Sequence, residues 1–249
     1  MRIIIRYILL VSIVFIHSCT KTNDKGKLSK TGKENKADST IMKKVSEEQP
    51  EYEKETFPVK EGLLSDIVGS SYEIQYEADG DLNNDGLSDK VLVLRKKSDT
   101  LSQRTVMVLL KNDNKRFRLD QISDTLLPDE YNEAGFKKYD PENISIAKGI
   151  LSVNLYNPAP YGNLFFNFKY IDKDFVLTYI ETYNAGAGSW QSLYYEPLKG
   201  KFLQEVTNTM EEDTPAETRN IQVKKQKFLF ENAVPDDIIS KVYSENDVL

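Results

Sequence analysis

The clearest pattern along the chain is the alternation of apolar and polar positions between Tyr72 and Ala78, where Tyr72, Ile74, Tyr76 and Ala78 are separated by Glu73, Gln75 and Glu77. A period of two puts one set of side chains on one face, so the segment predicts a β-strand with one side buried. Val91 to Leu94 predicts a second strand. Thr105 to Leu110 and Phe117 to Leu119 flank the polar run Lys111-Asn112-Asp113-Asn114-Lys115, and Ser145 to Ala147 and Leu151 to Leu155 flank Lys148-Gly149. Polar turn residues between apolar runs are hairpin signals. Leu164 to Ile171 meets Phe175 to Ile180 across Asp172-Lys173-Asp174 in the same way, and Gln191 to Tyr195 meets Phe202 to Val206 across Lys199-Gly200.

Helical spacing is confined to two places. Glu61 to Val68 has room for two turns. Pro235 to Tyr243 has Pro at a helix start, Asp236 and Asp237 in the first turn, and apolar residues at helical intervals. The expected fold class is therefore mainly β, an antiparallel meander or sandwich of hairpins with a short C-terminal helix.

The N-terminus has a different composition. Arg2 and Arg6 precede the uncharged run Tyr7 to Ile16, which His17, Ser18 and Cys19 follow. A positive start, a short apolar stretch and a small residue before a cut are the marks of a secretory signal, and the run is too short for a bilayer core of roughly 30 Å. Ile16-His17-Ser18-Cys19 resembles the lipobox of bacterial lipoproteins. That resemblance implies cleavage before Cys19 and a lipid on its thiol, with a membrane as the partner of the mature N-terminus; several acyl chains give stable anchoring. Thr20 after the Cys resembles the outer-membrane pattern, so the expected location is the cell envelope, at the outer rather than the inner membrane. From Thr20 to Lys60 only 8 of 41 residues are apolar and 18 are charged, too few to offset the entropy of ordering the backbone. The expected organisation is a signal over residues 1–18, a lipidated Cys and charged tether over 19–60 with a reach of roughly 35 Å, and a β-rich domain over 61–249.

Charge and residue types narrow the function. Residues 1–18 and 19–60 each carry +2, so the net charge of −6 leaves −10 on residues 61–249. A surface with that excess of carboxylate repels phosphate backbones, which argues against nucleic acid as a partner. The single His and the single Cys are His17 and Cys19. Disulfides, Cys-rich zinc sites, Cys nucleophiles and Ser-His-Asp triads each need a thiolate or an imidazole that residues 20–249 do not supply.

One segment carries a chemical motif. Asp79-Gly80-Asp81-Leu82-Asn83-Asn84-Asp85-Gly86-Leu87-Ser88-Asp89 places an oxygen-bearing side chain at every second position from Asp81 to Asp89, except where Leu87 offers its carbonyl. Calcium takes six to eight oxygen ligands, a curled loop turns alternate side chains to one centre, and Gly86 allows the bend. Asp81, Asp85 and Asp89 would repel one another without a cation. Lying between two predicted strands, the run resembles the calcium loop of FG-GAP and VCBS repeat proteins and is similar to dockerin and EF-hand loops. By that resemblance Asp81, Asn83, Asp85 and Asp89 bind calcium through side chains and Leu87 through its carbonyl, and the ion is a structural cofactor. Leu92 stands where an EF-hand loop has its twelfth-position Glu, and no second copy follows at a blade-length interval, which favours a single FG-GAP-type loop over a propeller.

Tyr156, Tyr161, Tyr183 and Trp190 lie in or beside two predicted loops, residues 157–162 and 184–189. Exposed rings there would stack on a ligand, and a glycan or an envelope protein is the expected partner. The combined expectation is a lipid-anchored, calcium-stabilised, non-catalytic binding or structural module. The alternative is a carboxylate-dependent hydrolase acting on envelope or extracellular polysaccharide, for which no pair of acids stands out.

Overall fold

The computed structural model describes residues 57, 59–211 and 214–246. The signal over 1–18, Cys19 and nearly all of the tether over 19–60 lie outside the described residues. Among the described residues, no helix is long and apolar enough to cross a membrane.

The chain is mainly β, as its alternation predicts. The first sheet has five antiparallel strands: β1 (Glu61–Gly62), β2 (Tyr72–Gly80), β3 (Asp89–Lys96), β4 (Thr105–Lys111) and β5 (Phe117–Ser123), in the order β1-β5-β4-β3-β2. The second is a meander of seven: β6 (Glu142–Ala147), β7 (Ile150–Leu155), β8 (Asn163–Ile171), β9 (Asp174–Gly186), β10 (Ser189–Glu196), β11 (Lys201–Asn208) and β12 (Glu217–Gln222). Turn chemistry sets the hairpins. Lys148 and Gly149 both have positive φ, 54° and 73°, the pairing a type I′ turn needs to follow strand twist.

The two sheets enclose one core. Val91, Val93, Val106 and Val108 of the first face Leu151, Val153, Phe166, Phe168 and Ile180 of the second. The intervening residues Leu92, Leu94, Met107 and Leu109 form a second cluster with Phe57 and with Ile67 and Val68 of helix α1 (Leu64–Val68). β3 and β4 are thus covered on both faces, which is why their sequences are continuously apolar rather than alternating. Each such side chain contributes about 1.5–3 kcal/mol on burial. The C-terminal helix α2 (Pro235–Asn246) forms where expected and buries Ile239 and Val242.

Three expectations change. Tyr72, Ile74, Tyr76 and Ala78 do not share one buried face: a bulge between Ile74 and Tyr76 puts Tyr72 with the second cluster and Tyr76 with the main core, and leaves Ile74 40% exposed. Glu61 to Val68 is not two helical turns: Glu61 and Gly62 pair with Arg118 and Phe117 of β5, and the helix begins only after Leu63. Edge-strand hydrogen bonds satisfy the backbone that a longer helix would have used. Residues 184–189 are not a loop either. β9 runs through Gly186 and β10 starts at Ser189, because Ser189 and Trp190 pair with Gly186 and Ala185, and only Ala187-Gly188 turns, with Gly188 at φ 94°.

Candidate functional site

The β2–β3 connection is the acidic loop. Asp81 accepts the backbone N–H of Asp85 (3.2 Å) and of Gly86 (2.9 Å), and Asp85 accepts that of Leu87 (2.7 Å). Asn83 accepts the N–H of Asp85 at 3.1 Å and donates its amide to the Asp85 carboxylate at 2.8 Å. Asp81, Asn83 and Asp85 are therefore brought together on one curl, closed by Asn84 at φ 62° and Gly86 at φ 86°. Asp89 is wholly buried at the start of β3 and accepts from the N–H of Leu82 (2.8 Å) and of Lys111 (2.9 Å), which ties the loop's first residues to the end of β4. Burial raises its pKa; those two N–H bonds pull it down, and the neighbouring charges of Asp85 and Asp81 push it up again.

Asp79 points elsewhere, into an ion pair with Lys90 at 2.7 Å. Leu87 is half-buried beside the curl. Among the described residues no three Asp, Glu, His or Cys side chains form a set arranged to hold a metal ion. The donor chemistry nonetheless suits a hard cation. An ionised carboxylate has about four acceptor positions, and the N–H bonds use two on Asp81 and two on Asp89.

Sequence reasoning missed what anchors this loop. Leu82, fully buried in the main core, pins it from below. Gly80 must be Gly: a Cβ there would sit 2.5 Å from Cγ2 of Ile146 in β6, so its absence lets β2 pack against β6. Asn84 also lies against Gly149, placing the loop against the β6–β7 turn of the other sheet.

Three of the four candidate rings share one surface, the outer face of the seven-stranded sheet. Tyr156 packs on Phe165 of β8 with centroids 4.9 Å apart. Phe165 pairs with Glu181, Asn163 and Ser192 each pair with Tyr183, and Ala185 pairs with Trp190, so Phe165, Tyr183 and Trp190 step diagonally across β8, β9 and β10. Trp190 is 50% exposed. Tyr161 is not part of this set. It lies 6.3 Å from the buried ring of Tyr139, and its hydroxyl accepts from Asn132. The chain between β7 and β8 still reaches β9, since Pro158 accepts the N–H of Ala185 at 2.9 Å.

Farther along the same face, two shallow grooves of about 230 and 440 Å³ share Tyr179 and Glu196. The first is also lined by Tyr194, Lys201, Leu203 and Glu205, the second by Asn167, Thr178, Leu198 and Lys199. Tyr179 donates to Glu181 (2.8 Å) and Tyr194 to Glu205 (3.3 Å). Burial, and then the bond to Glu181, raise the pKa of Tyr179.

A buried ionic cluster was invisible in the sequence. Arg104 and Glu142, with side chains 1% and 3% exposed, meet in a two-pronged pair at 2.5 and 3.1 Å that joins the two sheets. Beside it, Glu130 accepts from Gln75 at 3.0 Å and pairs with Arg95 at 3.4 Å and Lys137 at 3.5 Å. Gln75 occupies the bulge between Ile74 and Tyr76, the device by which a strand re-aims a side chain. No protein-family model, no curated protein and no solved structure matches this chain.

Proposed function

We propose that the chain is a lipid-anchored cell-envelope protein whose β domain is a non-catalytic binding or structural module stabilised by calcium at the β2–β3 loop. The observation that supports it most is the gathering of Asp81, Asn83 and Asp85 on one curl beside the buried Asp89, whose pKa is raised first by burial and further by the charges of Asp85 and Asp81. A hard divalent cation would neutralise that repulsion. Asp81, Asn83, Asp85 and Asp89 would hold it through side-chain oxygens and Leu87 through its carbonyl, as the resemblance to FG-GAP and VCBS loops implies.

Calcium at a hundred times its Kd stabilises a native state by about 2.7 kcal/mol, which for a domain of this size is roughly 5–11 °C in Tm. Titrating the full-length protein with calcium in a thermal melt should give that rise, and Asp81→Ala with Asp85→Ala should remove it. An unchanged Tm at millimolar calcium rejects the ion. The anchor is tested separately: Cys19→Ser should move the protein from the membrane to the soluble fraction of disrupted cells, and continued membrane association rejects lipidation.

One observation favours the alternative, a carboxylate-dependent hydrolase of polysaccharide: Glu196 and Glu205 line the same groove. Hydrolysis would need them about 5–9.5 Å apart across a glycosidic bond.

A further inference from the structure

We infer that the outer face of the seven-stranded sheet is a binding platform for a neutral oligosaccharide, read by the rings of Tyr156, Phe165, Tyr183 and Trp190 and by the grooves around Tyr179 and Tyr194. The inference rests on the binding-module reading above and names its ligand class.

The rings come first. Stacking on a sugar needs exposed ring faces held in place. Trp190, 50% exposed, stands on β10, and Tyr156, 37% exposed, directly follows β7, where its backbone accepts the N–H of Asp140 and donates to the carbonyl of Pro141. Phe165, Tyr183 and Trp190 run obliquely over β8, β9 and β10 and Tyr156 flanks Phe165 at the end of β7, so the four rings span three inter-strand spacings or roughly 15 Å. That is longer than one pyranose and suits an oligomer. Tyr179 and Tyr194 continue the aromatic surface, each fixed by its hydroxyl bond to Glu181 or Glu205.

Polar chemistry separates a glycan from other occupants. Between the rings stand Asn154, Asn163, Asn167, Ser192 and Thr207, half-buried and outward-facing by strand alternation. Amides and hydroxyls both donate and accept, matching the mixed demands of sugar hydroxyls. They also interrupt the apolar surface, leaving no continuous greasy strip for a lipid or an amphipathic helix. An added peptide strand would take a sheet edge rather than this face.

Charge excludes the remaining classes. Glu181, Glu196 and Glu205 are matched on the face and in its grooves by Lys169, Lys199 and Lys201, whereas residues 61–249 as a whole carry −10. An anionic polymer would approach against that field, and a cationic one would find little to hold it here. The carboxylates that accept one Tyr hydroxyl each retain acceptor positions for the paired hydroxyls of an uncharged sugar.

Trp190 is the only Trp in the chain, so its emission reports this face alone. Full-length protein in detergent micelles is titrated with the hexasaccharides of cellulose, starch, xylan, mannan and chitin. At least one should change Trp190 emission saturably, with Tyr183→Ala weakening binding by about three- to tenfold. Phe136→Ala, which removes an exposed ring outside this face, should leave the affinity unchanged. No saturable change with any of the five sugars overturns the proposal. So does an equal response in Tyr183→Ala, or, when acidic oligogalacturonate is titrated in parallel, a response confined to that polymer. Repeating the titration in excess chelator separates the two readings: a retained sugar response with no calcium-dependent Tm would sink the calcium loop alone, and a calcium-dependent Tm with no sugar response would sink the glycan platform alone.

Discussion

Replacing Arg104 by Met would leave the Glu142 carboxylate buried without its ionic partner. The pair is two-pronged, at 2.5 and 3.1 Å, and both side chains are almost wholly enclosed. Arg104 also donates to the Pro128 carbonyl at 3.3 Å, while its Nε has no hydrogen-bond partner. The favourable geometry is therefore concentrated in the two contacts to Glu142. Breaking one side of such a pair costs about 3–5 kcal/mol, because the desolvated charge left behind loses its compensation. For a domain of this size that is a fall of roughly 6–20 °C in Tm. Glu142→Leu alone should cost a similar amount by stranding the guanidinium. Arg104→Met together with Glu142→Leu should recover most of the loss, since two apolar groups of similar volume need no desolvation repayment. Calorimetry on the four proteins closes a double-mutant cycle. If each single change costs under about 1 kcal/mol, or if the two costs simply add, water reaches the pair and the ionic clasp between the sheets is refuted.

Glu130→Gln should lower stability at neutral pH and flatten its acid dependence. Burial pushes the Glu130 carboxyl up, but the Gln75 amide, Arg104, Arg95 and Lys137 together hold it below its usual 4.5. The unfolded chain then binds more protons between the two values, so the contribution is present above 4.5 and is lost as pH falls through the folded value. Urea denaturation from neutral to acid pH measures this, and an unchanged acid slope in the variant would contradict it. Gly80→Ala forces a Cβ to within 2.5 Å of Ile146 and should cost about 1–3 kcal/mol as overpacking does. Ile146→Ala in the same chain should relieve part of that cost, and equal denaturation midpoints for Gly80→Ala and the parent would show that the sheets can separate there.

The strands were legible where a local pattern fixes them. Tyr72 to Ala78 has the alternation of a strand, although the bulge at Gln75 divides its apolar residues between the two faces of β2, and β8 and β9 show both apolar content and a clear turn at Asp172, whose φ is 56°. β12 carries no such pattern: Glu217–Gln222 has Ile221 as its one apolar side chain, and it exists because Phe202 and its neighbours in β11 offer a free edge. Polar edge strands of this kind resist detection for the same reason that they resist aggregation. The acidic loop was visible because its residues are adjacent in sequence. Arg104 and Glu142 are 38 positions apart, and nothing short of the folded sheets brings them together. The ring set was visible at three of its four positions. Phe165 reads as a core residue among its apolar neighbours, and only the register shows it facing outward, whereas Tyr161 has the right type but sits beside Tyr139 and Asn132 instead.

The positions of the two candidate sites make them separable. The acidic loop meets the second sheet at the β6–β7 turn, through Asn84 against Gly149, and enters the core through Leu82. A cation there would act on the junction between the sheets, and its effect belongs in global stability. The rings begin one strand farther in and lie on the opposite face from the core residues Leu164, Phe166 and Ile180. Their geometry is set by strand alternation and by cross-strand neighbours within a single sheet, which does not change while that sheet stays folded. Chelation should therefore lower Tm and leave the Trp190 response to sugar intact below the transition. If it weakens both in proportion at a temperature where the protein is still folded, the loop is coupled to the ring face through β6 and β7, and the division of labour between the sheets is wrong.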